Sequence, residues 1–309
     1  MAGNVPYGTL TGTSTISNLV QTAYDQYVRM ALRSIPVMRA LADVKPVQQA
    51  MPGSSVVFSI YSDLAQATST LTESSDVSSI ALGNPNQITV TLQEYGSAVT
   101  TTKKLNLTSF NDVDAALADI IAYNAADSID AVVAGVLTSG TNIIYGGTAT
   151  NNAGITAGGT ISVSDIRAAV TNLRSNKALP RIGELYAAYL HPKQTADLRA
   201  ETGTGGFQDL SKYVDRTPFV AGAVGVLEGA FIVETPRVLS ASNGTTTVYK
   251  AIVAGREALA EAQGQDISTV IGPQIDALRR FHTIGWYYFG GWNILRAPAI
   301  YQIQTATAY

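Results

Sequence analysis

The order of three unlike segments constrains this chain more than any other feature. Two extended stretches come first, Ser55 to Tyr61 and Ile88 to Leu92. Val56, Phe58 and Ile60 alternate in the first, and Ile88, Val90 and Leu92 in the second, as half-buried strands require. Residues 62–87 between them hold Asp63, Glu73 and Asp76 and no Lys or Arg, so they form an anionic projection. A turn at Tyr95 and Gly96 is expected next. There the apolar phase shifts to Tyr95 and Val99, as a β-bulge at the glycine would produce. Asp112 to Leu137 then reads as one helix with Asn111 as N-cap, roughly 39 Å long at 1.5 Å per residue. A long loop projecting ahead of a long helix suits a subunit that clasps its neighbours better than a compact enzyme.

Composition narrows the choice. Charged residues are 14% of the chain and hydrophobic residues 46%; an average soluble protein carries about 25% charged residues. So weakly charged a surface fits a protein covered by copies of itself. The net charge of −3 argues against a dedicated nucleic-acid binder. With no cysteine, disulfides, Cys-based zinc sites and thiol nucleophiles are excluded. The first 24 residues carry no charged side chain, so no basic signal-peptide region is visible, and no unbroken apolar run predicts a membrane span.

Residues 1–16 read as an extended arm. Leu19, Val20, Ala23, Tyr27, Met30 and Ala31 recur at helical spacing, and Pro36 interrupts them. On the long helix, Asp112, Asp119 and Asp130 fall within a few tens of degrees of one another, with Asp127 nearby. Residues 105–140 contain no Lys or Arg, so this acidic side is expected to face solvent or a lumen. Beyond a Gly/Thr/Asn-rich connection at 139–160, Val163 to Leu173 reads as a helix capped by Ser162 or Ser164. Leu185 to Leu190 reads as a strand, His191 to Leu198 as a turn into a helix, and Thr202 to Phe207 as a flexible loop. Ala230 to Glu234 and Thr247 to Val253 read as strands joined by a hairpin-like turn at Ser242-Asn-Gly244. Thr283 to Gln304, which holds both tryptophans, reads as sheet.

No catalytic motif stands out. The two histidines, His191 and His282, lack metal-binding companions and read as structural. Nucleophile-elbow, Walker, dinucleotide and zinc-helix signatures are missing from the sequence. Trp286, Tyr287, Tyr288, Phe289 and Trp292 are not interleaved with cations, so a sheet core explains them better than a base-stacking platform. No cofactor is expected.

Taken in order, these segments resemble the Hong Kong 97-type α+β fold of tailed-bacteriophage major capsid proteins. The resemblance rests on Gly53-Ser-Ser-Val-Val-Phe, Leu71-Thr-Glu73, Ile88-Thr-Val-Thr-Leu-Gln-Glu-Tyr-Gly96, Ser128-Ile-Asp130, His191-Pro-Lys-Gln-Thr-Ala-Asp-Leu198 and Ile284-Gly-Trp286, over about residues 17–306. It implies an N-terminal arm at 1–50 and an extended loop with supporting strands at 51–104. A peripheral domain with a spine helix would occupy 105–145 and an axial α/β domain 146–261, with 262–309 returning to the peripheral sheet. Ordering an arm of that length costs about 1 kcal/mol of backbone entropy per residue, and neighbouring subunits offer surface that offsets it.

The same resemblance implies self-assembly as hexamers and pentamers into an icosahedral head around double-stranded DNA. The protein would belong to the virion after assembly in the host cytoplasm. Scaffold, portal and, in some heads, decoration proteins would be partners; no membrane and no enzymatic activity are expected. Leu71, Glu73, Asp76, Phe207 and Tyr213 are the candidate assembly contacts, and Asp112, Asp119, Asp127 and Asp130 the candidate lumenal acidic face that would repel packaged DNA. Some shells of this type join a loop Lys to an Asn, but residues 62–87 contain no Lys, so no such cross-link is expected. Because a fused scaffolding domain has no room ahead of the arm, a separate scaffold is expected. An encapsulin-type compartment shell shares the implied fold. A carboxylate-based hydrolase is the reading from another class; it requires a deep pocket with a perturbed carboxylate pair.

Overall fold

The computed structural model describes residues 36–46, 54–108 apart from 62, 69, 72, 75 and 78, then 113–202, 207, 225–272 and 280–309. The helix expected at 19–31, Asp112 and Tyr213 lie outside these residues. Two sheets organise the chain. The smaller has the order β1 (Ala42–Pro46), β11 (Leu259–Ile271), β12 (Phe281–Ile294), β4 (Gln93–Thr102). β1 is parallel to β11 and the other pairs are antiparallel. The larger runs β5 (Ile143–Tyr145), β13 (Ile300–Thr305), β10 (Thr247–Ala254), β6 (Tyr186–Leu190), β8 (Ala230–Glu234), β7 (Val226–Leu227), with β9 (Ser240–Ser242) also on β10. A two-stranded ribbon, β2 (Ser55–Ile60) and β3 (Asn86–Thr91), stands apart.

The long helix is α2 (Val113–Leu137), preceded by a short α1 (Lys103–Thr108). Leu117, Ile121, Ala125, Ile129, Val133 and Leu137 recur every fourth residue on its buried side. By length and hydropathy Leu117–Leu137 could cross a bilayer. Its buried side instead closes on Ile284, Trp286, Tyr288 and Trp292 of β12 and on Ala187, Tyr189, Ile252 and Ala254 of the larger sheet. The alternate residues Tyr186, Ala188 and Leu190 pack beneath α3 (Val163–Ser175) and α4 (Pro192–Ala200). Every residue of β6 is therefore buried, as expected for a central strand covered on both faces. The β12 aromatics form core, with Tyr288 stacked on Trp292 at 5.2 Å between ring centroids.

Local chemistry explains the helix starts. Ser162 caps α3 and forms a reciprocal box with Asp165. His191 caps α4: its Nδ1 accepts from Lys193 N at 3.1 Å, while Gln194 Oε1 accepts from His191 N. Burial and the neighbouring Lys193 hold the His191 pKa below the usual imidazole value, so the neutral ring is available as acceptor.

Several expectations are corrected. Gly96 lies inside β4, in unbroken register with Tyr287, so neither a turn nor a bulge occurs there. The phase shift comes from Leu92, where the chain passes from the β2–β3 ribbon into the smaller sheet. The turn at Asn243 joins β9 to β10, because β8 is taken up beside β6 in parallel. The sheet read at Thr283 to Gln304 breaks at Pro298 into two strands, and β13 joins the larger sheet rather than the smaller one. Within the stretch expected as an arm, Met38–Leu41 form a 3-10 turn and Ala42–Pro46 form β1, built into the smaller sheet.

Candidate assembly site

The projection is seated from its foot upward. Val56 and Phe58 of β2 pack with Val90 and Leu92 onto Ala260, Ala262 and Phe289 of the smaller sheet. Asn293 Nδ2 donates to Thr89 O at 3.0 Å, and Leu92 N to Ser54 O at 2.7 Å. Gly291 makes the seat possible: a Cβ there would collide with the carbonyl oxygen of Thr91. Gly291→Ala is therefore expected to unseat the ribbon while leaving the two larger sheets folded. Limited proteolysis would show it as faster cleavage within 61–85 and an unchanged remainder.

Between the ribbon strands the described residues form no regular structure. They display Tyr61, Leu64, Leu71, Val77, Ile80 and Leu82, each more than half exposed, Leu71 at 75%. Glu73 and Asp76 are exposed among them. A lone soluble chain gains nothing from an exposed apolar row of this kind; a chain that packs the row against a partner does. The candidate contacts Leu71, Glu73 and Asp76 are thus each accessible between the ribbon strands. Phe207 does not join them: it is buried at 7% in the core under α3. That burial removes it from the candidate contacts, because its side chain already completes its own subunit.

The acidic side of α2 is also corrected. Asp119 is exposed, but Asp130 is 1% exposed. Asp130 Oδ1 accepts from Met38 N at 2.6 Å and from Arg39 N at 3.1 Å, so it caps the 3-10 turn that crosses the helix. Arg237, arriving from the end of β8, pairs with Asp127 and lies 3.7 Å from Asp130 Oδ2. Asp130 cannot belong to a solvent face, and Asp127 is about half exposed.

Arg39, Glu261 and Arg237 organise this junction, and sequence reading passed over all three. The Glu261 carboxylate is fully buried and accepts from Arg39 Nε (3.1 Å), Arg39 Nη2 (2.6 Å) and the Tyr288 hydroxyl (2.8 Å). Burial, and next to it the Glu261 charge, push the Tyr288 phenol far above its usual pKa, so it stays a donor. Arg181 holds Asp43 at 3.3 Å and donates to Ala40 O. A signal was present: Glu261 interrupts the apolar run Ala258-Leu-Ala-Glu-Ala262, which marks a buried acid in need of a cation.

Asp165 and Glu201 are neighbouring carboxylates, and burial raises the Asp165 pKa. Both, however, are committed to the start of α3, accepting from Ser162 N and Val163 N at 2.9 Å. Among the described residues no group of His, Asp and Glu could hold a metal ion.

Comparison with known proteins agrees with the fold. The family model described as phage capsid protein matches residues 13–296. The structure is similar to the capsid of cyanophage P-SCSP1u, at TM-score 0.73 and 18% identity over 94% of each chain. It is similar to the head of Helicobacter pylori bacteriophage KHP40, at TM-score 0.71 and 13% identity over 99% of this chain and 100% of that one. It also resembles the capsid of Ralstonia phage GP4, at TM-score 0.69 and 14% identity over 99% and 98%. No curated protein sequence matches the chain. With the family match spanning most of its length and the fold shared end to end with phage heads, the chain belongs to the phage capsid protein family and is a capsid structural protein of the Hong Kong 97-type fold.

Proposed function

We propose that this chain is the major subunit of a bacteriophage head, assembling as hexamers and pentamers into an icosahedral shell around double-stranded DNA. The observation that carries the reading is the exposed apolar row on the projection at 61–85, held on a rigid foot. In this reading the smaller sheet with α2 is the peripheral domain and the larger sheet with α3 and α4 the axial domain. The arm proper ends ahead of Met38, and β13 belongs to the axial sheet. The lumenal acidic face reduces to Asp112, Asp119 and the exposed part of Asp127, which would keep packaged DNA mobile by repulsion. The shell is a virion component, assembled in the host cytoplasm with a separate scaffold, a portal and, in some heads, decoration proteins.

Expression of the chain with and without its neighbouring genes, followed by electron microscopy, tests the proposal. Closed shells or capsomers are the expected product; a stable monomer under every condition would overturn it. The particles should also hold together without covalent links from the projection, which contains no Lys and no Cys. Boiled and reduced, they should give one band near 32.5 kDa; a ladder of multiples would contradict this.

A further inference from the structure

Among the described residues, Lys177 (φ 56°), Glu228 (φ 51°) and Glu257 (φ 58°) hold a left-handed backbone although none is glycine. A long side chain kept in that strained conformation calls for a contact that offsets the strain. Glu228 has one with Arg167 at 2.8 Å, and Glu257 has one with Arg296 at 2.9 Å. Lys177 has no side-chain partner among the described residues. It occupies the glycine position of the Schellman motif that ends α3: Lys177 N donates to Arg174 O and Ala178 N to Leu173 O, both at 3.0 Å.

Glu184 is its counterpart. The other exposed carboxylates described beyond residues 61–85 are engaged within the subunit: Glu94 with Tyr287, Asp266 with Arg39, Glu234 with Thr195, and Asp119 as well. Glu184 is exposed and accepts from none of the described residues. It stands at the tip of a tight turn, where Leu185 N donates to Ile182 O at 2.9 Å and Gly183 takes φ 60°. Between the two charges, Leu179 is 61% exposed and Ile182 44%. The backbone beneath is fixed. Tyr186 Oη donates to Ala178 O and Arg256 N to Leu179 O, each at 2.8 Å, while Arg181 reaches Ala40 O and Asp43. A surface held this firmly loses little entropy on docking. Arg256, exposed and without a carboxylate partner among the described residues, lines the same crevice as Lys177 and strengthens the cationic end.

A segment that is cationic at one end, anionic at the other and apolar between is complementary to itself when reversed. We infer that residues 177–184 form a reciprocal two-fold contact with the same segment of a second copy, Lys177 of each facing Glu184 of the other across Leu179 and Ile182. Such a contact is isologous and stops at two copies. It rests on the capsid reading above, in which an icosahedral shell supplies the two-fold axes.

Charge exchange tests the pairing in the full chain expressed with its neighbouring genes. Lys177→Glu and Glu184→Lys should each lower the particle yield about tenfold, and together they should restore it to within about threefold of the wild type. Lys177→Gly separates contact from folding. It removes the cation and relieves the left-handed strain, so the subunit should unfold at no lower temperature than the wild type while the yield still falls. The chain has no cysteine, so Lys177→Cys with Glu184→Cys in one chain tests the symmetry. Oxidised particles boiled without reductant should give a band of two chains and no higher multiple. A ladder of multiples, single chains only, wild-type yield from Lys177→Gly or from either charge reversal, or no recovery on exchange would overturn the contact and leave the capsid reading intact. Failure of the wild type to assemble would instead remove the reading on which it rests.

Discussion

Replacing Arg39 with Ala is expected to destabilise the subunit by about 3–5 kcal/mol, the usual cost of stranding one partner of a buried ion pair. The Glu261 side chain is fully buried, and without Arg39 its only remaining donor among these contacts is the Tyr288 hydroxyl. The damage should spread along the crossing segment, because the 3-10 turn that carries Arg39 is also tied to Asp130, and β1 beyond it to Arg181. Both tryptophans of the chain, Trp286 and Trp292, sit in β12, and Trp292 lies opposite Glu261 across the sheet. Their fluorescence therefore reports the unfolding midpoint in urea directly. Adding Glu261→Gln to Arg39→Ala should recover part of the loss, since a buried neutral amide needs no countercharge. If Arg39→Ala leaves the midpoint unchanged, the crossing segment does not brace the sheet against α2.

Excising residues 64–82 and closing the gap with a short Gly/Asn turn is expected to abolish shells and leave the subunit folded. The described residues of the excised stretch contribute nothing to the two large buried clusters, whereas the ribbon strands below it retain their seat on Ala260 and Ala262. Removing Leu64, Leu71, Val77, Ile80 and Leu82 deletes about five large apolar contacts, each worth roughly 1.5–3 kcal/mol when fully buried. Summed over a ring of copies, a loss of that size outweighs the free energy of an ordinary protein contact. Sedimentation should show small species only, and circular dichroism should keep the signature of the intact sheets. Shells of normal size from the excised chain would show that assembly relies on other surfaces.

The elements legible in the sequence were those whose signals are local. The alternation at 55–60 and 88–92 located the ribbon, and the run ending at Leu137 located α2 to within a residue. The start of α3 was placed at Ser162 or Ser164 and that of α4 at the turn after His191; Ser162 and His191 are the residues whose side chains cap them. What escaped depends on distant partners. β11 carries Glu261, Gly264 and Asp266 and shows no clean alternation; the acid is tolerable only because Arg39, 222 residues away, reaches it. Asp119 and Asp130 occupy the same arc of a helical wheel, yet the segment at Met38–Leu41 crosses α2 beside only the second. A wheel gives direction around the axis and nothing about what lies across it. Leu92 was misread for a similar reason: a strand that changes sheets shifts its apolar phase just as a bulge does.

The central claim, that the projection is a clasp between copies, is tested most directly by a cryo-electron-microscopy reconstruction of the assembled particle at side-chain resolution. The expected map shows hexamers and pentamers in which residues 61–85 of each subunit lie across a neighbour, with Leu71, Val77 and Ile80 buried at that contact. A map in which these residues fold back on their own subunit, or stand in solvent while the shell closes through other surfaces, would contradict it.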